Sequence, residues 1–321
     1  MKESIVNPRL LKPIFSLLGK SKLPILIYHR VHKKIDPMQP GEVDAATFDW
    51  QMRLIAKTFN VLPLSTAVEL LRKNRLPTRP LSITFDDGYA DNAEVALPIL
   101  KKYQLPATFF VAAGYIDGGR MWNDTVYETI RTLPDGEYDF SSIGAGRYLF
   151  GDGRGKNRCA QELIVLLKHL PSKERDEQTS ILASMAKREL TDKLMMSSQQ
   201  IKMLSESGMD IGGHTMTHPI LSNLTPEEAL TEIKVGKETL EQIVGRRIRL
   251  FAYPNGKPGQ DYNQDHVSMV RELGFDAAVS TAWGVSNWKS DIYQLRRFTP
   301  WDRHQTAFML RLLRNYFEGS S

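Results

Sequence analysis

Seven short apolar runs alternate with helical patterns along this chain, and this alternation constrains the fold more than any other feature. The runs predict strands at Ile25–Tyr28, Leu81–Phe85, Ala107–Val111, Met209–Gly212, Leu250–Tyr253, Ala277–Ser280 and Gln294–Phe298. Helices are predicted between them, at Ala46–Phe59, Ser65–Lys73, Asn92–Tyr103 and Thr225–Val244. Strand–helix repetition of this kind favours parallel strands in an α/β fold. This number of units suits a barrel better than a small open sheet.

The composition is that of an ordinary globular protein with room for one large barrel. The chain has 321 residues, of which 41% are hydrophobic and 25% are charged, so it can bury a sizeable core. Its net charge of +5 is too small to favour a nucleic-acid partner, although it is compatible with an anionic substrate or membrane surface. The single cysteine, Cys159, excludes an intrachain disulfide and a cysteine-based zinc site. The sequence leaves the oligomeric state open.

Residues 119–195 interrupt the strand–helix rhythm. They follow Gly118, include a glycine-rich loop at Gly144–Gly155, and then show helical patterns at Ala160–His169 and Lys173–Glu189. We therefore expect a mostly helical insertion on the barrel rather than a separate domain. The glycine-rich loop lacks the Lys-Ser/Thr ending of a phosphate-binding loop, so it does not predict a nucleotide site.

The N-terminal segment 1–22 mixes leucines with lysines and arginines, which predicts a basic amphipathic helix. Such a helix can pack over the lower end of the barrel, which we favour, or lie on an anionic membrane. Residues 1–30 contain no apolar run of the roughly 7–15 residues that a secretory signal needs, and no run approaches the ~20 of a membrane span. These features predict a cytoplasmic protein, with peripheral contact at the inner face of the membrane as the alternative. The barrel is expected over residues 23–318.

Asp86 and Asp87 directly follow the predicted strand Leu81–Phe85, in the stretch Thr-Phe-Asp-Asp-Gly. Asp-Gly after a strand is common turn chemistry, which is the simplest interpretation of this stretch. The functional interpretation is that one carboxylate binds a metal while its neighbour accepts a proton from water. A phosphate-transfer site of the haloacid dehalogenase type is a poorer match, because that site needs two aspartates separated by one residue.

His214 and His218 stand four positions apart after the predicted strand Met209–Gly212. A single histidine is more often structural than ligating, but two at this spacing favour a divalent metal site. No Glu follows His214, so the pair is not the helical motif of zinc proteases. Together with Asp87, the pair makes a set of two imidazoles and one carboxylate, which suits zinc or another divalent transition metal.

Two further stretches follow predicted strands. Pro254-Asn255-Gly256 comes after Leu250–Tyr253; it is either an ordinary turn or one that aims a backbone N–H at a developing oxyanion. His29 comes after Ile25–Tyr28; it either caps the barrel or protonates a leaving amine as a general acid. His32 lies three residues further along and is the second choice for this acid.

In this order, the four stretches resemble the polysaccharide deacetylases of carbohydrate esterase family 4 over the whole predicted barrel, with the insertion least similar. The Thr-Phe-Asp-Asp-Gly and His-Thr-x-x-His stretches carry the resemblance. It implies a distorted (β/α)7-type barrel in which Asp87, His214 and His218 bind the metal, usually zinc. It also implies that Asp86 is the general base and that the backbone amide near Asn255 helps to form the oxyanion hole.

The sequence departs from the family pattern in two motifs. The usual Arg-x-Pro-Tyr reads Ala252-Tyr253-Pro254-Asn255, and the usual Leu-x-His reads Leu295-Arg296-Arg297, so the usual arginine and the usual histidine acid are both missing. Both changes are similar to a subgroup that deacetylates poly-N-acetylglucosamine and carries a Tyr-His stretch on its first strand. That similarity implies that His29 replaces the acid. Either Arg297 or Arg296 replaces the arginine, and the sequence does not decide between them.

The expected function is hydrolysis of the N-acetyl group of an amino sugar in a polysaccharide, an oligosaccharide or a lipid-linked glycan precursor. The products are acetate and a free amine. Two alternatives stay open on the sequence. The two missing motif residues allow a glycan-binding pseudoenzyme, and the same metal site would serve an esterase or amidase that acts on another acyl group.

Overall fold

The computed structural model describes residues 8–18, 21–151 and 153–317. Residues 1–7, 19 and 20 of the predicted N-terminal segment lie outside this part, as do residue 152 in the glycine-rich loop and residue 318 at the end of the predicted barrel. The strands in the described part are β1 Lys22–Leu23, β2 Ile25–Tyr28, β3 Val31–His32, β4 Val43–Asp44, β5 Asn60–Val61, β6 Pro80–Phe85, β7 Thr108–Val111, β8 Gly136–Asp139, β9 Arg147–Phe150, β10 Asp210–Gly213, β11 Leu250–Ala252, β12 Ala277–Trp283, β13 Ser286–Asn287 and β14 Leu295–Arg297. The α-helices there are α1 Pro8–Leu18, α2 Ala45–Thr58, α3 Leu64–Arg72, α4 Leu97–Lys102, α5 Trp122–Thr132, α6 Gly153–Lys168, α7 Ser172–Ser184, α8 Ser198–Glu206, α9 Pro226–Val244, α10 Gln264–Glu272 and α11 Gln305–Asn315.

Seven parallel strands form the central sheet in the order β14-β12-β11-β10-β7-β6-β2. The two ends of this order meet at Phe298, whose backbone N–H donates to Ile25 O at 3.0 Å and whose carbonyl accepts from Ile27 N at 3.0 Å. The sheet is distorted where β5 pairs with the start of β6 and where β12 shifts register against β14 between Val279 and Trp283. The distorted α/β barrel expected from the strand–helix alternation is confirmed, and each predicted strand overlaps an observed one.

The alternation of side chains along β6 decides which way the following aspartate faces. Phe85 packs outward in the large apolar cluster that the barrel shares with α2, and Ile83 belongs to the same cluster. Thr84 faces the opposite side, where its hydroxyl accepts a hydrogen bond from Arg297 at 3.1 Å. Because successive strand residues point to opposite faces, Asp86 follows Thr84 toward the barrel interior.

The lower end of the barrel, where the strands begin, is covered by α3. Leu64, Val68 and Leu71 of this helix join an apolar cluster with Phe110 from β7 and Leu250 from β11. A hydrogen bond of 3.2 Å from Ser65 N to Asp210 Oδ2 ties the first turn of α3 to the start of β10. The accessible end of the barrel is therefore the upper one, at the carboxyl ends of the strands.

The helix α1 packs against the lower side of the barrel. Its Phe15 is fully buried, with ring centroids 4.8 Å from Phe59 and 5.8 Å from Tyr316. Ile14 and Leu17 on the same helix are exposed. These contacts agree with the packing interpretation of the N-terminal segment, while its membrane contact and the cellular location stay predictions. In the described part of the chain, no helix is long and apolar enough to cross a membrane.

The insertion begins and ends where Gly119 and Lys193 pair. It contains α5, α6 and α7, and also an antiparallel hairpin of β8 and β9 that was not predicted. Phe140 and Phe150, beside and in the hairpin, are buried with Leu163 of α6 in a separate apolar cluster. The hairpin strands are only four residues long, and β9 has no polar–apolar alternation in its sequence Arg-Tyr-Leu-Phe. The surrounding glycines favoured a loop instead. The insertion is therefore helical with one added hairpin.

Candidate active site

The three predicted metal ligands meet at the upper end of the barrel. Asp87 Oδ1 lies 3.4 Å from His214 Nε2 and 3.3 Å from His218 Nε2, and one ligand atom from each residue lies within 4.8 Å of the others. Asp87 follows β6, and both histidines follow β10. Because β6 and β10 are the two neighbours of β7, their carboxyl ends bring these side chains together.

The donor chemistry of this cluster fits a divalent transition metal. His214 Nδ1 lies 2.7 Å from the carbonyl of Ala252, so Nδ1 carries the proton and Nε2 offers a lone pair to a metal. Burial lowers the pKa of His218 to about 4, so its ring is neutral, as a ligand must be. Burial alone would raise the pKa of Asp87, but His214, His218 and His29 outweigh it and hold that pKa below its usual range. One carboxylate and two neutral imidazoles suit Zn²⁺ and related ions.

Strained backbone marks the loops that carry these groups. Asp87, Thr215, His218 and Asn255 have φ values of +76°, +64°, +57° and +59°, in the left-handed region. Residues other than glycine seldom adopt this region, and they do so where surrounding contacts hold them. The upper loops are therefore shaped by their contacts with neighbouring elements rather than by local preference.

The helix α9 supplies such contacts to the loop between the two histidines. Glu232 accepts hydrogen bonds from Met216 N at 2.9 Å, Thr217 N at 2.8 Å and Thr217 Oγ1 at 2.7 Å. Gly236, one turn further along, lies so close to the loop that an added Cβ would be 2.8 Å from the carbonyl of Thr215. Neither residue was predicted to serve the site. The sequence feature that could have revealed this close approach is a glycine inside an otherwise regular helix.

Asp86 forms a bidentate ion pair with Arg297 inside the barrel. Arg297 is fully buried; its two terminal nitrogens donate to the two Asp86 oxygens at 2.7 Å each, and its Nε donates to Ser280 O at 2.9 Å. Arg296 instead donates to Trp283 O at 3.1 Å. Of the two arginines that the sequence left open, Arg297 is thus the one that contacts Asp86. Burial alone would raise the pKa of Asp86, but the charge of Arg297 outweighs it, so the pKa lies below its usual range and the carboxylate is ionised.

The arginine enters from a different strand than the family motif implies. Ala252, at the motif arginine position on β11, contributes only its carbonyl, which meets His214 Nδ1. Arg297 stands on β14, where the Leu-x-His motif would place its histidine. The two departures from the motif pattern are therefore linked, because the residue at the acid position supplies the missing guanidinium.

A cavity of about 340 Å³ opens above these groups. His29 and Asn255 line it together with Asp86 and the three metal ligands. His32 lines a different cavity, next to Lys33 and Lys34. The structure thus places His29, and not His32, among the other predicted site residues. Further lining residues that were not predicted come from the loop before α2, the insertion and β12: Gln39, Glu42, Asn123, Tyr127, Gln161 and Thr281.

His29 is held from behind by a π-helical turn that begins at Asn92. The Asn92 side-chain amide donates to His29 O at 2.9 Å. A continuous helix was predicted here, and the π-turn differs because it lets Asn92 reach β2. Burial lowers the pKa of the His29 imidazole, but the carboxylates of Asp87, Glu42 and Asp86 outweigh burial, so the pKa is raised above its ordinary value. The environment therefore favours the protonated form that an acid needs.

Asn255 presents an unused backbone donor to the cavity. Its carbonyl accepts from Thr281 Oγ1 at 2.6 Å, while its own N–H makes no hydrogen bond to any residue that the structure describes. A buried or half-buried N–H is normally paired. An unpaired one at the wall of this cavity is suited to a ligand oxygen.

Residues 73–141 and 166–278 match the family model described as polysaccharide deacetylase. The chain belongs to the polysaccharide deacetylase family. As a member of that family, it is a hydrolase that removes acyl groups from nitrogen. The unmatched stretch between the two matched ranges falls inside the insertion, on β9 and most of α6.

Individual relatives agree with the family. The Bacillus subtilis protein YxkH, a polysaccharide deacetylase by name, is 23% identical over 278 residues, which is 86% of this chain and 71% of the relative. The poly-β-1,6-N-acetyl-D-glucosamine N-deacetylase of Staphylococcus epidermidis is 30% identical over 146 residues, 38% of this chain and 48% of the relative. The deacetylase PplD of Streptococcus pyogenes, solved with acetate, shares the fold with a TM-score of 0.61 at 22% identity, covering 92% of this chain and 98% of that one.

The ion pair generates a prediction about stability. Arg297→Met leaves the Asp86 carboxylate buried without a partner, so we expect the free energy of unfolding to fall by about 3–5 kcal/mol. In an Asp86→Asn background the same change should cost less, because no buried charge is left unpaired. Urea denaturation of the four proteins measures both costs. Equal costs in the two backgrounds would contradict direct coupling between the two side chains.

The contacts of Glu232 generate a second prediction. Glu232→Ala removes the acceptor for two backbone N–H groups beside His218, and we expect metal affinity to fall by about 10–100-fold, as for other residues that orient ligands. Glu238→Ala, on an exposed part of the same helix, is the matched control and should leave affinity unchanged. A zinc titration against a chromophoric chelator measures both. If the two variants bind zinc equally well, Glu232 does not position the histidine loop.

Proposed function

We propose that this deacetylase hydrolyses the N-acetyl group of an amino sugar within a glycan, with a divalent metal bound by Asp87, His214 and His218. The observation that carries the proposal is the Asp86 carboxylate, which is ionised, paired with Arg297 and placed beside the ligand set in an open cavity. The relative from Staphylococcus epidermidis, named for poly-β-1,6-N-acetyl-D-glucosamine, supports N-acetylglucosamine as the sugar.

In this proposal Asp86 is the general base. Its Oδ2 lies 4.0 Å from His214 Nε2, on the side of the ligand cluster, and keeps a lone pair beyond the one that Arg297 occupies. A divalent metal at the three ligands would act as a Lewis acid on the acetyl carbonyl and lower the pKa of water. Asp86 accepts the proton of the water that attacks the carbonyl carbon, and Arg297 keeps this carboxylate oriented and ionised before that step.

The other two cavity groups act on the atoms that gain charge. The unpaired N–H of Asn255 donates to the carbonyl oxygen as it becomes an oxyanion. The protonated ring of His29 donates its proton to the departing nitrogen, since an amine is a poor leaving group without it. The carbon–nitrogen bond then breaks, and acetate and the free amino sugar are released.

The two missing motif residues no longer favour a pseudoenzyme. Arg297 contacts the base from another strand, and His29 shares the cavity with it, so each missing group has a replacement at the site. An esterase or amidase for other acyl groups has no observation of its own in its favour. The polar lining of the cavity, with Glu42, Asn123 and Gln161, supports a hydroxyl-rich substrate such as a sugar.

The test of the function is acetate release from N-acetylglucosamine oligosaccharides by the zinc-loaded protein. Asp86→Asn should lower kcat by at least the 10²–10⁴-fold typical of general acid–base catalysis while zinc stays bound, as elemental analysis measures. His214→Ala should lose both zinc and activity, because it removes a ligand. Full activity of a metal-free sample would rule out the metal-assisted mechanism, and absence of release from every N-acetylated glycan would rule out the function.

The assignment of the acid is tested by His29→Ala. We expect kcat on an N-acetyl sugar to fall by about 10²–10⁴-fold with zinc content unchanged, because the amine then leaves without a proton. His32→Ala, outside the catalytic cavity, is the control and should keep wild-type turnover. An acetyl ester with a good leaving group should show a much smaller loss in His29→Ala. Wild-type turnover of the N-acetyl sugar by His29→Ala would contradict the assignment.

The pH profile of the same reaction offers a second measurement of this acid. The protonated form of His29 is the active one, so kcat/KM should fall as pH rises through its raised pKa. Glu42 contributes to that increase in pKa, so Glu42→Gln should move the alkaline limb to lower pH. If the alkaline limb of the Glu42→Gln profile stays in place or moves to higher pH, a group other than His29 determines its pKa.

A further inference from the structure

A second cavity lies beside the catalytic one, on the other side of the first turn of α5. Its volume is about 450 Å³. Along α5, Asn123 lines the catalytic cavity while Trp122 lines the second one, and in the histidine loop His218 lines the first while Thr217 lines the second. Adjacent residues therefore line different cavities, so the start of α5 and the histidine loop both lie between the two cavities.

The wall of the second cavity holds a buried arginine without an anionic partner. Arg175 is only 8% exposed, and its Nε makes no hydrogen bond. Within the described residues, no carboxylate forms an ion pair with its guanidinium. The guanidinium makes a cation–π contact with Trp122, in which Cζ lies 5.3 Å from the ring centroid. Arg297, the other deeply buried arginine near the site, is fully paired by contrast.

No carboxylate among the described residues of this cavity neutralises Arg175. Asp192 pairs instead with the cavity's other arginine, Arg120, which also donates to the carbonyls of Leu190 and Thr191. Asp176 also lines the cavity but is exposed and lies beyond ion-pair distance of Arg175. Burying even part of a guanidinium without an anion is costly. An anion bound in the cavity that Arg175 lines would offset this cost.

We propose that the second cavity is an anion-binding subsite for a carboxylate or phosphate group that the glycan carries near the N-acetyl sugar being hydrolysed. The planar guanidinium of Arg175 presents paired donors that match either oxyanion. Trp122 lies against the guanidinium in a cation–π contact, and Tyr115 adds a second aromatic side chain to the cavity wall. This inference rests on the proposed function, which makes the substrate a glycan. It adds that the glycan is acidic rather than neutral.

Binding measurements on the zinc-loaded protein test the subsite without turnover. The variant is Arg175→Met, which keeps the length of the side chain, and the matched control is Lys173→Met, an exposed cation on the same helix. The probes are sodium glucuronate, inorganic phosphate and neutral glucose, followed by calorimetry and tryptophan emission. We expect at least one anion to bind about tenfold or more weakly to Arg175→Met than to Lys173→Met. Anion binding at the metal is common to both variants, so the difference reports on Arg175.

The results separate the possible sources of the anion and the possible failures. Preference for glucuronate indicates an acidic sugar, and preference for phosphate indicates a phosphorylated glycan or a lipid-linked precursor. Equal anion affinity in wild type and Arg175→Met overturns the proposal and leaves Arg175 as a packing residue. If Arg175→Met does not fold, Arg175→Lys replaces it: loss of affinity with the charge kept supports the subsite, and unchanged affinity overturns it.

A turnover measurement then links the subsite to the reaction. For an acidic N-acetylated oligosaccharide, Arg175→Met should raise KM by about tenfold with kcat unchanged, because the lost contact binds substrate without touching the reacting atoms. A neutral oligosaccharide should show no change in either constant. If the wild-type protein releases acetate from neither substrate, the proposed function is contradicted. The anion site is not, because the binding measurements test it separately.

Discussion

The buried ion pair between Asp86 and Arg297 is the interaction on which the rest of the site depends. The two residues stand on β6 and β14, the strands on either side of β2, and they can meet only when the sheet closes at Phe298. Two charges taken out of water are stabilising only when each satisfies the other in good geometry. Closure of the barrel therefore keeps Asp86 ionised although it is buried, because burial alone would raise the pKa of this carboxyl and the charge of Arg297 outweighs that effect. Fold and chemistry are linked through this one contact.

The same pair bears on the acid that we propose, which follows a different strand. Arg297 occupies the position where the family motif would place a histidine, so that position can no longer donate a proton to an amine. The next strand around the barrel is β2, and His29 follows it. The groups to which we assign these roles then lie at the ends of neighbouring strands, with His29 between Arg297 and Asp86.

The sequence predicted those features that are local, and it did not predict those that depend on contacts between distant segments. Strand periodicity and the ends of apolar runs located the barrel and grouped Asp87 with the histidines. The sequence left Arg296 and Arg297 as alternatives, because only the closed sheet shows which of two adjacent strand residues faces inside. In the sequence, Glu232 does not differ from the other glutamates of its helix. Its role depends on the packing of α9 against the histidine loop. The hairpin in the insertion was hidden because each strand is short and flanked by glycine.

In the anion-subsite proposal, the insertion supplies part of the substrate-binding surface. All groups proposed to act on the acetyl carbon and nitrogen follow barrel strands, whereas Trp122 and Arg175 belong to the insertion. Its first helix is anchored to the barrel by a buried hydrogen bond of 3.0 Å from Tyr89 Oη to Asp124 Oδ1. Tyr89 follows the proposed metal ligand Asp87 by two residues. Since a rigid anchor fixes the distance between two subsites, the insertion can vary its lining residues without moving the metal centre. The two proposals thus assign the reacting groups to the loops after the barrel strands and the anion subsite mainly to the insertion.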